Sequence, residues 1–260
     1  MIRPYRPAPH LFKHWSRVAA CVHGSHRIIL FLDFDGTLVR IAPRPNQVRL
    51  APGARRVLGR LARHPRVTVA VISGRRRGEL TRHVAIRNVH YLGLYGWERN
   101  NRSSLSASAS SAIKRAHGVL SRHLAGYPGV WIEDKGKSLS VHLLAAKPEI
   151  QRRVRQRIRN SLRALRKTLR IFENLRDIEI VPLAIRDKGS AVRVFLSKGR
   201  FPHAFPIYFG DDLSDEPAFA AVGRGISILV GKARRTRARF RLRGPAEVAA
   251  ALSRLEAALA

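Results

Sequence analysis

The stretch Ile28–Arg40, reading IILFLDFDGTLVR, constrains this chain more than any other. Five apolar residues, Ile28 to Leu32, make a short unbroken run of the kind that fits a strand buried in a parallel sheet. The run stops at Asp33-Phe34-Asp35-Gly36-Thr37. Side chains alternate along a strand, so Asp33 and Asp35 leave its end on the same side. Gly36 then allows a tight turn that holds both carboxylates beside an open crevice. Two such carboxylates repel each other, which is tolerable where a divalent cation sits between them or where one keeps a proton.

The rest of the chain supplies the sheet that such a strand requires. A loop with three prolines, IAPRPNQVRLAPG, leads to a helix over 52–63. Val67–Ile72 and Val89–Leu94 read as further strands, with a helix over 77–84 between them. A helix opens at Lys188, Ile207–Phe209 and Gly225–Val230 are the last strands, and Pro245 begins a closing helix. This alternation predicts an α/β fold with a doubly wound parallel sheet of Rossmann-like type. The rhythm breaks between 97 and 183. There a Ser-rich loop leads to a helix at 112–124, and Val130–Asp134 and Ser138–Leu143 pair antiparallel. A long helix spans 148–169 on the stripe Ile150, Val154, Ile158, Leu162, Leu165 and Leu169, and a strand lies near 177–181. The expected organisation is a core of residues 1–96 and 184–260 with an inserted α+β cap of residues 97–183. Residues 1–25 form an N-terminal arm with a short helix near 11–22.

In an open parallel sheet the strand carboxyl ends line one crevice. Asp33 and Asp35, Ser73 and Gly74, Lys188, and Asp211, Asp212 and Asp215 can therefore converge. Each group alone has a plain use: Ser73 or the acids of GDDLSDE can cap a helix, and Lys188 can lie on the surface. Together they fit phosphoryl transfer. Asp33 is placed as the nucleophile toward phosphorus, giving an aspartyl-phosphate that water hydrolyses. Asp35 protonates the leaving alkoxide and later activates water. Mg²⁺ prefers oxygen ligands, here Asp33, the carbonyl of Asp35 and Asp211, with Asp212 and Asp215 behind them. The Ser73 hydroxyl and Gly74 N–H hold a phosphoryl oxygen, and Lys188 neutralises charge on the phosphoryl group and on Asp33.

Charge bears on the partner. Lys and Arg number 50 against 17 Asp and Glu, a net +33 dominated by arginine. This favours anionic ligands and leaves a nucleic-acid partner open, although the arginines are spread along the chain, as compositional bias would spread them. The helix over 148–169 carries many of them on its polar face. Cys21 is alone, which fits a reducing compartment. No apolar run nears the ~18 residues of a membrane span. The cytoplasm is the expected location.

DFDGTL, VISGR, the lysine of DKGSAV and GDDLSDEPAF resemble the four motifs of the haloacid-dehalogenase-like phosphatases. Within that group the chain is most similar to the trehalose-6-phosphate phosphatases, from about Ile28 to the final helix. The resemblance implies a sugar-phosphate substrate, trehalose 6-phosphate, with Mg²⁺ as cofactor and a trehalose-6-phosphate synthase among the candidate partners. It also implies that Glu133, Lys135 and His142, in WIEDKGKSLSVH, reach the sugar hydroxyls as the cap closes, with Arg75 also on the substrate. Three positions depart from the family's usual pattern. Tyr95 stands where a histidine is usual, Leu143 and Leu144 follow His142 in place of an aromatic and an arginine, and Val181 replaces a basic residue. The catalytic half is intact and the sugar-reading half partly kept. Another glycosyl phosphate, such as glucosyl- or mannosyl-3-phosphoglycerate, and a polyanion-binding role on a phosphatase scaffold are the alternatives.

Overall fold

The computed structural model describes residues 7–42, 45–99, 104–197 and 203–259. Positions 1–6 of the expected arm, 43–44 of the proline-rich loop and 100–103 of the Ser-rich loop lie outside them. The chain divides into two compact units, Met1–Arg99 with Arg186–Ala260, and Asn100–Ile185.

The first unit begins with α1 (Trp15–His23), β1 (Ile28–Leu32), α2 (Pro52–Leu61), β2 (Val67–Ile72), α3 (Arg77–Val84) and β3 (Val89–Leu92). The second unit holds α4 (Ala107–Leu124), β4 (Trp131–Asp134), β5 (Leu139–His142), α5 (Pro148–Ser161), β6 (Leu169–Glu173) and β7 (Asp177–Pro182). The first unit then resumes with α6 (Lys188–Ser197), β8 (Phe205–Gly210), α7 (Glu216–Ala221), β9 (Ile226–Val230), β10 (Phe240–Leu242) and α8 (Pro245–Ala257).

In the first unit six parallel strands lie in the order β10-β9-β8-β1-β2-β3. All five residues of β1 are buried, and their alternation divides them between two cores. Ile28, Leu30 and Leu32 pack with Val18, Leu58 and Leu252, while Ile29 and Phe31 pack with Val192 and Phe219. The chain starts at the centre, moves outward through β2 and β3, and returns on the other flank through β8. The order therefore reverses between β1 and β8. At such a switch point the loops after neighbouring strands part and leave a crevice.

In the second unit the antiparallel order is β4-β5-β7-β6. Leu139, Val141, Ile178 and Ile180 share a core with Ile113, Leu120, Val154 and Ile158 of α4 and α5. Register then sets the other face, where Trp131 lies across from His142, Glu133 from Ser140, and Ser140 from Glu179.

Several elements differ from the sequence expectation. The helix expected over 148–169 ends at Ser161, and Leu169 opens β6, a strand not foreseen. Leu162 and Leu165 stay buried on a short 3₁₀ turn, so the apolar spacing outlasts the helix. Asn160 and Ser161, both weak helix formers, mark the break. Helix α4 begins before the expected 112 because Ser106 caps it, accepting from Ala109 N at 3.2 Å. β10 was also missed. Its three residues lie in the run RTRARFRLR, whose charges mask the period, although Leu242 is buried and paired with β9. No helix among the described residues is long and apolar enough to cross a membrane.

Candidate active site

β1 ends at Leu32, and the chain turns back through Asp33–Val39, with Leu38 N and Val39 N donating to Phe34 O. Gly36 has φ +83°, and a Cβ there would stand 2.1 Å from Asp211 Oδ2. Only glycine lets this turn lie against the loop after β8. That close approach joins the first and last motifs across the switch point.

Lys188, the first residue of α6, is buried rather than on the surface. Its Nζ donates to Asp33 Oδ1 at 2.6 Å and to Asp215 Oδ1 at 2.8 Å. Asp215 also accepts from Tyr208 Oη at 2.7 Å and from the backbone N–H groups of Asp211 and Asp212 at 3.1 and 3.0 Å. With both oxygens engaged, Asp215 orients its neighbours. Asp212 accepts from Leu213 N at 2.6 Å and completes a capping box with Asp215. The acids of GDDLSDE thus do cap a helix start.

Asp33, Asp211 and Asp215 are all buried and each brings a carboxylate oxygen within 4.8 Å of the others. Burial raises the pKa of Asp33 well above the usual carboxylate range; Lys188 opposes the rise, and Asp215 and Asp211 add to it. Burial disfavours the Lys188 ammonium, yet Asp215 and Asp33 hold its pKa above the normal lysine value. Three acids around one ammonium leave surplus negative charge in a buried site. A set of hard oxygen donors of this kind fits Mg²⁺.

Ser73 follows β2, and its Oγ accepts from Arg75 N at 3.2 Å. α3 begins only at Arg77, with Arg76 in the N-cap position, so Ser73 does not cap it. The loop after β3 clamps this segment: Tyr95 N donates to Ser73 O at 2.9 Å and Leu94 N to Arg75 O at 2.8 Å. Leu94 and Tyr95 both have left-handed φ, +45° and +60°, a conformation sparse outside glycine. Tyr95 lies against Gly74, its Oη 3.0 Å from where a Cβ would stand. Arg75, expected on the substrate, lies on Asp35. Its Nε and Nη2 donate to the two Asp35 oxygens at 2.6 and 2.8 Å, and its Nη1 to Glu79 Oε1 at 2.8 Å. Burial works against the guanidinium charge, but Asp35 and Glu79 keep its pKa raised.

In the second unit, the side chains of the β4–β5 hairpin meet across the sheet. His142 Nε2 and Glu133 Oε2 are 2.8 Å apart, and Lys135 Nζ donates to Glu179 Oε1 at 2.7 Å. Burial raises the pKa of Glu179 and works against charge on Lys135, whose pKa is nonetheless held up by Glu179 and Glu133. Trp131, 40% exposed, stacks on His142 with centroids 3.8 Å apart and planes at 13°. Trp131, Glu133, His142 and Glu179 therefore share the sheet face away from the helices. Sequence reasoning left out Trp131, Glu179, Tyr208 and Glu79. Strand periodicity alone could have placed Trp131 and Glu133 on one face; Glu179 needed the register between β5 and β7.

Residues 31–246, from within β1 into α8, match the profile of the family described as trehalose-phosphatase. The chain belongs to the trehalose-phosphatase family. Its relatives include the trehalose-phosphate phosphatase of Mycobacterium tuberculosis, 34% identical over 242 residues, 87% of this chain and 60% of that protein. Trehalose 6-phosphate phosphatase RA3 of Zea mays is 30% identical over 254 residues, 88% of this chain and 70% of that one. The chain thus spans about three fifths of the length of the mycobacterial trehalose-phosphatase. The solved C-terminal domain of C. albicans trehalose-6-phosphate phosphatase aligns with TM-score 0.83 at 20% identity, over 98% of this chain and 99% of that domain. At that identity the likeness speaks to the trehalose-phosphatase fold.

Proposed function

We propose that this chain is a Mg²⁺-dependent phosphomonoesterase that releases inorganic phosphate from trehalose 6-phosphate through an aspartyl-phosphate on Asp33. The observation that carries the reading is the buried Asp33–Lys188–Asp215 arrangement, with Asp211 beside it at the switch point of the sheet. In this reading Asp33 attacks phosphorus while the P–O bond to the sugar breaks. The departing alkoxide takes a proton from Asp35. Asp35 then removes a proton from water, which attacks the phosphoryl group and frees the Asp33 carboxylate and phosphate. Both Asp35 oxygens are held in a fork by Arg75. Donating a proton requires that fork to loosen.

Ser73 and Gly74 receive the phosphoryl oxygens, and Lys188 balances charge on them and on Asp33. Mg²⁺, held by Asp33, Asp211 and the carbonyl of Asp35, would neutralise charge on the phosphoryl oxygens and on the nucleophile. The sugar hydroxyls fall to Glu133, Lys135 and His142, whose sheet face combines charges and an exposed indole, a chemistry suited to a polyhydroxylated ring. The single cysteine, Cys21, supports the cytoplasm as the working compartment.

The test is phosphate release from trehalose 6-phosphate, glucosyl- and mannosyl-3-phosphoglycerate and p-nitrophenyl phosphate, each with Mg²⁺ and with EDTA. Turnover of trehalose 6-phosphate above the other three, abolished by EDTA, is expected. A preference for a phosphoglycerate overturns the substrate, and turnover in EDTA overturns the metal.

A further inference from the structure

Arg234 lies on the loop between β9 and β10, outside all four motifs. Its Nη1 donates to Glu216 Oε1 at 2.6 Å, and its Nη2 donates to the carbonyl oxygens of Asp212 at 3.0 Å and Asp211 at 3.4 Å. The second oxygen of Glu216 accepts from Arg237 N at 2.8 Å. One carboxylate therefore grips the β9–β10 loop at two points, and the pair is largely withdrawn from water, at 19% and 18% exposure. The backbone around Asp211 is held from both sides. The N–H groups of Asp211 and Asp212 donate to Asp215, and their C=O groups accept from Arg234.

We infer that Arg234 is a positioning residue for the metal site, fixing the backbone that aims the Asp211 carboxylate. The inference rests on the reading of Asp211 as a Mg²⁺ ligand. Arg234 touches neither phosphate nor metal in this role; it acts through two peptide carbonyls and Glu216. A lysine would keep the charge but lack the planar fork that spans a carboxylate and a carbonyl at once.

The sign of the effect separates positioning from simple charge. A cation near an acidic cluster repels Mg²⁺, so removing its charge alone should tighten metal binding. Loss of positioning should weaken it, by about tenfold, as with other groups that orient metal ligands. Isothermal titration calorimetry with Mg²⁺ would compare wild type, Arg234→Met, Arg234→Lys and Asp211→Asn, with Arg152→Gln as a control at a surface arginine whose side chain is 78% exposed. Both Arg234 variants are expected to bind Mg²⁺ about tenfold more weakly. Their kcat should recover at saturating metal. Arg152→Gln should titrate as wild type.

Unchanged or tighter binding in Arg234→Met overturns the inference. Should that variant not fold, Arg234→Lys decides: weaker binding supports positioning and unchanged binding overturns it. The control Asp211→Asn separates the two claims. If it keeps wild-type Mg²⁺ affinity, the metal assignment itself falls, and the inference with it. If it loses Mg²⁺ while the Arg234 variants keep it, only the role of Arg234 is lost.

Discussion

Lys188 and Asp33 are held together by opposite needs. Lys188 is an ammonium hydrogen-bonded to two buried acids, Asp33 and Asp215, and Asp33 has its pKa pushed up by burial and by its two acidic neighbours. Removing the cation leaves buried charge uncompensated, at about 3–5 kcal/mol. Neutralising Asp33 relieves repulsion and leaves Lys188 on Asp215. Lys188→Met should therefore lower Tm in EDTA and abolish turnover. Asp33→Asn should abolish turnover, by more than about a thousandfold, with a Tm in EDTA at or above wild type. Thermal melts with and without EDTA, beside phosphate release, check both. An Asp33→Asn protein with lowered Tm would show that the carboxylate supports the fold rather than straining it. This scale was the most legible in the sequence. Asp33, Asp211 and Lys188 sit at strand ends or helix starts, where the local pattern already implies convergence. The partner of Arg75 was not legible, because Asp35 follows a different strand, β1, and a guanidinium four bonds from its backbone has many possible acceptors.

At the scale of elements, β1, β2 and α3 were readable because burial on both faces or a single apolar stripe leaves one solution. The second unit was harder. The apolar spacing at 158, 162, 165 and 169 is satisfied equally by helix, by a 3₁₀ turn and by the first residue of a strand. The pairing of Lys135 with Glu179 depends on strand register, which nothing local specifies. The register between β4 and β5 brings the Trp131 ring flat onto His142. Such stacking is worth about 1 kcal/mol and fixes the imidazole plane that faces Glu133. Trp131→Ala should thus raise KM for trehalose 6-phosphate about fivefold, with KM and kcat for p-nitrophenyl phosphate unchanged. His142→Ala should give a larger rise of the same pattern. Equal losses on both substrates would remove this sheet face from sugar recognition. The comparison needs only steady-state kinetics on two substrates.

For the whole molecule the governing quantity is charge. The chain carries a surplus of +33, whereas the buried charges of the site are mainly acids, opposite in sign. In the proposed reaction the net charge would attract a dianionic sugar phosphate from a distance, and the inner acids would repel it unless a divalent cation and Lys188 offset them. These two contributions respond differently to salt. Long-range attraction is screened beyond a Debye length of about 10 Å at 0.1 M, whereas buried pairs are screened far less. With Mg²⁺ held saturating, raising ionic strength from about 50 to about 500 mM should lower kcat/KM for trehalose 6-phosphate severalfold through the encounter step. kcat, set inside the site, should stay level. The spread of arginines along the chain makes the effect a smooth decline, without the steep power law of a protein that neutralises many phosphates of a nucleic acid at once. Stopped-flow or initial-rate measurements across a salt series decide the matter. A kcat/KM that does not move would mean that the arginine surplus steers nothing and reflects composition alone, and a kcat that falls in parallel would place screened charge inside the reacting site.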